Sequence, residues 1–107
     1  MKIYNVGKDE PYDLPSEDDP TYVWLVFDYE DGGYDGHGTA VALGVDGLIY
    51  VKDLSHCSCY GPFDDFGYGK WSPGVTIMEY MRPKDSVHDM DIVDAIHQKV
   101  VKLLNEN

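Results

Sequence analysis

The sequence predicts an α+β domain: a twisted antiparallel sheet of about four strands with one C-terminal helix packed on one face. Three observations predict it. Apolar, β-branched runs bounded by Gly, Pro and Asp occupy the N-terminal part of the chain. A single amphipathic stretch at helical spacing closes it. The length, 107 residues, suffices for one domain (1–107) and not for two.

The elements follow in order. Residues 2–6 fit a short strand. Asp9 to Pro20 reads as an acidic loop, because Pro11, Pro15 and Pro20 interrupt any regular ladder. Thr21 to Tyr29 is the clearest strand. Its run Tyr22-Val23-Trp24-Leu25-Val26-Phe27 is apolar on both faces, which places it centrally or under cover on both sides. Gly38 to Leu43 is a strand of small residues, Asp46-Gly47 a two-residue hairpin turn, and Leu48 to Lys52 the returning strand. Residues 53–74 form a long Gly- and aromatic-rich loop, in which Phe63, Phe66, Tyr68 and Trp71 cap the core or form an exposed patch. Val75 to Met81 reads as a fourth strand, ended near Pro83. Ser86-Val87-His88-Asp89 opens the helix, 86–104, with a capping pattern. Ile92, Val93, Ile96, Val100, Leu103 and Leu104 form its apolar stripe, and His97 lies on the flank of that stripe.

The charge balance narrows the function. There are 20 Asp and Glu against 8 Lys and Arg, a formal net charge of −12. Direct binding of nucleic acid phosphates or of an anionic membrane needs basic clusters, so both are excluded. Half of the acids lie between Asp9 and Asp35, with no Lys or Arg among them. Like charges repel at close range, so stability alone does not explain the run. A solvated face is one reading. The other is a docking face for a basic protein, with Glu17, Asp18, Asp19, Glu30, Asp31 and Asp35 supplying charge. Tyr29 and Tyr34 would supply contact area. The segment from Asp28 to Gly36 carries oxygen ligands but lacks the spacing of an EF-hand calcium loop.

His56-Cys57-Ser58-Cys59-Tyr60-Gly61-Pro62 is the most unusual local sequence. Zinc could take two thiolates and an imidazole, with His37 or His88 as a fourth ligand. One residue between the cysteines, however, is short of the usual two to four. A nucleophilic thiol would need a cationic setting, which this chain does not provide. The remaining reading is structural: Cys57 and Cys59 on one side as small apolar groups, His56 and Ser58 as anchors, Tyr60 at a turn. No metal or cofactor is expected. Gly36-His37-Gly38 fits a turn or bulge, not a phosphate loop, and no catalytic motif occurs. Met1-Lys2-Ile3-Tyr4-Asn5 lacks the apolar core of a secretory signal. No stretch approaches a membrane span, so a cytoplasmic protein is expected.

The stretch from Tyr29 through Pro62 resembles a group of small bacteriophage proteins. The resemblance rests on the acidic-aromatic strand, the turn Tyr34-Asp35-Gly36-His37-Gly38, the small-residue strand, and the closing Asp53-Leu54-Ser55-His56-Cys57-Ser58-Cys59-Tyr60-Gly61-Pro62. Such sequences carry a glycine where Ser55 stands here. The resemblance covers about a third of the chain and brings no catalytic residues with it. It implies a phage accessory protein acting in the host cytoplasm, of the class that inhibits host enzymes or defence nucleases, as anti-CRISPR proteins do. The expectation is therefore a non-enzymatic inhibitor of a basic, nucleic-acid-binding host protein. The alternative is a module that binds a small molecule, a nucleotide signal or a metal through His56–Tyr60.

Overall fold

The computed structural model describes residues 1–11, 13–32, 36–54, 63, 71–81 and 94–106. Its elements are β1 (Lys2–Asn5), β2 (Tyr22–Asp31), β3 (Gly36–Gly44), β4 (Ile49–Asp53), α1 (Ile77–Tyr80) and α2 (Asp94–Asn105). The α+β class, a sheet of four strands and the C-terminal helix are as the sequence predicts, although the strand expected over 75–81 is not among the four. The strands form one sheet in the order β1-β2-β3-β4.

Two departures from the expected sheet have identifiable causes. First, β1 pairs with β2 in parallel, Lys2 beside Trp24 and Asn5 beside Phe27, so the sheet is mixed rather than antiparallel throughout. A parallel neighbour requires a crossover of a dozen or more residues. The acidic loop predicted for 9–20 lies within that crossover, which comprises residues 6–21. Second, the strand predicted over 75–81 does not form. Val75 makes an isolated antiparallel bridge to Ile49, and the chain then turns into α1. Thr76 caps this helix: its Oγ1 accepts the Glu79 N–H, and the Glu79 carboxylate reaches back to the Thr76 N–H. The Thr-x-x-Glu signature of a capping box outweighs the β-branched composition around it.

β2 is central and buried on both sides, as its composition predicts. On one face Trp24 and Val26 join Val41, Leu43, Ile49 and Val51 beneath Tyr80 and the α2 residues Ile96, Val100 and Leu103. This part of the helix stripe is thus core, and Leu104 packs against it; the predicted helix start at Ser86, with Ile92 and Val93, lies outside the described residues. On the other face Leu25, Phe27, Tyr29, Ala40, Ala42 and Leu54 form a second cluster. Leu14 from the crossover and Phe63 and Trp71 from the long loop pack against it. The small side chains of Ala40 and Ala42 leave room for these rings. Phe63 meets Phe27 edge-on, centroids 6.1 Å apart, and Trp71 lies 5.2 Å from Tyr22. Both therefore cap the core; Phe66 and Tyr68 lie outside the described residues.

The glycines of Gly36-His37-Gly38 are part of β3 and not a turn. A Cβ at Gly38 would overlap the Asp28 carbonyl oxygen of β2, so glycine permits the close approach of these backbones. The hairpin turn predicted at Asp46-Gly47 has three residues rather than two: Leu43 pairs with Ile49 and the Gly44 N–H donates to the Leu48 carbonyl at 2.8 Å, leaving Val45, Asp46 and Gly47 in the loop, with Gly47 at φ +85°, a conformation that favours glycine.

Candidate acidic docking surface

The parallel pairing of β1 and β2 decides where the acids go. The crossover leaves the finishing end of β2 and returns to its starting end. Asp9 and Glu10 are deposited at the first and Glu17, Asp18 and Asp19 at the second. At the finishing end the Asp9 N–H donates to the Tyr29 carbonyl at 3.1 Å, and the Asp9 carboxylate accepts the Asp31 N–H at 2.9 Å. Glu30 and Asp31 are exposed beside it, and Glu30 faces His37 across the strand pair at 3.4 Å. At the starting end Glu17 and Asp18 are exposed. The Met1 ammonium donates to the Glu17 carbonyl, and Ser16 Oγ accepts the Asp18 N–H at 3.1 Å. The span of β2, Tyr22 to Asp31, at about 3.3 Å per residue, sets these two groups about 30 Å apart.

The acidic residues expected on one face thus form two poles. Acids distant in sequence join them. Asp46, in the β3–β4 turn, stands at the starting end, because Gly44 pairs with Tyr22. Asp53 stands near the finishing end, because Thr39 pairs with both Asp28 and Asp53. A search for contiguous acids misses both; only the strand register brings them in.

Some of these carboxylates have local structural work. Asp19 Oδ1 accepts the Thr21 N–H at 2.9 Å, and hydrogen bonds from the Thr21 side chain and backbone hold its carboxyl below the usual carboxylate range. The Tyr50 hydroxyl donates to Asp46 Oδ2 and the Leu48 N–H to Asp46 Oδ1, which lowers the Asp46 pKa and raises that of Tyr50. Asp13 accepts the Phe63 N–H. The acidic run is therefore partly a set of turn and loop anchors, contrary to the expectation that stability does not explain it. Glu17, Asp18 and Glu30 are the exposed residues of the predicted set with no such anchoring role among the described contacts.

The predicted contact residues separate accordingly. Tyr29 is buried, 3% exposed, within the second core cluster, which removes it from any docking face. Its place in β2, alternating with Asp28 and Glu30, turns its ring inward. Tyr34 and Asp35 lie outside the described residues, as do His56, Cys57, Cys59 and Tyr60. Lys52, next to Asp53 in β4, is fully buried. Among the described residues, no three His, Cys, Asp or Glu side chains come together as a metal-binding group. Among them, too, no helix is long and apolar enough to cross a membrane.

Comparison with protein-family models, curated proteins and solved structures found no match.

Proposed function

We propose that this chain is a non-enzymatic inhibitor that binds a basic host protein, a nucleic-acid-binding defence nuclease, by presenting negative charge where that enzyme receives nucleic acid. The observation that carries the reading is the pair of acidic poles about 30 Å apart along β2, built chiefly from the acids of 9–35, a stretch without Lys or Arg, although exposed Lys2 and Lys8 flank the two ends. Two separated negative ends match an extended basic channel better than a single cation pocket, and such complementarity accelerates encounter. The resemblance of Tyr29–Pro62 to small phage proteins supports the setting, a phage accessory protein in a bacterial cytoplasm.

The test is affinity capture from bacterial lysate with the purified chain, repeated at high salt and with competing duplex DNA. The expected result is a nucleic-acid-binding partner that both treatments release. Capture that survives both, or that is unchanged when Glu17, Asp18, Glu30 and Asp31 are all replaced by Lys, overturns the proposal.

A further inference from the structure

We draw no further inference here: the strongest candidate, the cavity of about 390 Å³ where the starts of β1 and β2 meet the last turn of α2, is lined by Lys2 and Glu106 over Tyr4, Trp24, Val23 and Leu103, and nothing in the structure fixes the chemistry of an occupant, because its charges oppose each other and the unpaired Trp24 indole N–H is itself buried out of reach.

Discussion

Asp13 and Phe63, fifty positions apart in the chain, are joined by a hydrogen bond: Asp13 Oδ2 accepts the Phe63 backbone N–H at 3.0 Å. The bond ties the crossover to the long aromatic loop, at the point where Phe63 meets Phe27. It joins the segments that bring Leu14 and Phe63 onto the second face of the sheet.

Replacing Asp13 by Ala removes an acceptor from a partly buried N–H. A hydrogen bond of this kind contributes about 1–3 kcal/mol, so Asp13→Ala should lower stability by that order. Asp13→Asn keeps an acceptor and should lose less. Urea unfolding of the two variants checks the ranking; equal losses would show that the carboxylate, not the acceptor, matters.

Gly38 and Gly47 make contrasting predictions. At Gly38 an added Cβ meets the Asp28 backbone, which has no flexible end to move aside. Gly38→Ala should therefore separate β2 from β3 locally and cost about 3 kcal/mol or more. Gly47 has open space around it but a φ of +85°, so Gly47→Ala carries only the conformational penalty of about 1 kcal/mol. Thermal unfolding of both variants measures the difference, and a larger loss at Gly47 is the outcome that contradicts the packing argument.

Charge reversal separates the two poles. Glu17→Lys with Asp18→Lys alters the starting end; Glu30→Lys with Asp31→Lys alters the finishing end. Each pair should slow association with the captured partner roughly 3- to 10-fold at low salt, and the two together roughly multiplicatively. Glu17 and Asp18 are exposed, so circular dichroism melts should be nearly unchanged by that pair, within about 0.5 kcal/mol per substitution; Glu30→Lys with Asp31→Lys also removes the Glu30–His37 contact, so its melt is measured alongside. If only one pair has an effect, contact is confined to one end.

The pH profile carries two signatures. Asp46 has its pKa lowered in the folded state, chiefly by the Tyr50 hydroxyl. Its contribution is therefore present above its ordinary value of 3.8 and lost as pH falls through the folded value. Tyr80 is shifted the other way: burial pushes its phenol up to about 12 from an ordinary 10.0. Its contribution is present below pH 10 and is lost as pH rises toward 12. Phenolate absorbance, followed alongside circular dichroism, should show a smaller late step in Tyr80→Phe than in the native chain, because the Tyr50 phenol, raised by its hydrogen bond to Asp46, still titrates late in both. The same curve for both proteins would falsify the burial argument.

Much of the fold is legible in the sequence because its signals are local. The double-sided apolar run of β2, the Asp46-Gly47 turn and the stripe through Ile96, Val100 and Leu103 each declare themselves within a few residues. The strand direction of β1 does not, because Lys2–Asn5 reads the same whether its neighbour runs parallel or antiparallel. α1 was hidden for a different reason: Val75 and Ile77 suggest a strand, whereas the Thr76–Glu79 cap acts through side chains that composition ignores. The acidic surface was legible as charge and not as geometry. Contiguity placed Tyr29 with the acids, while strand alternation turns it inward; Asp46 and Asp53 enter only through the register of β3 with its neighbours.

The parallel pairing of β1 makes the connecting segment a tether as well as a source of charge. Its reach is fixed, since it must return the length of β2, and shortening it would peel the first strand from the sheet. Its exposed acidic side chains, Glu10, Glu17 and Asp18, carry no such constraint. Length and charge are thus independent variables here: selection can rewrite the charge without moving a strand. An experimenter who trims the segment to remove its acids will instead be measuring the loss of an edge.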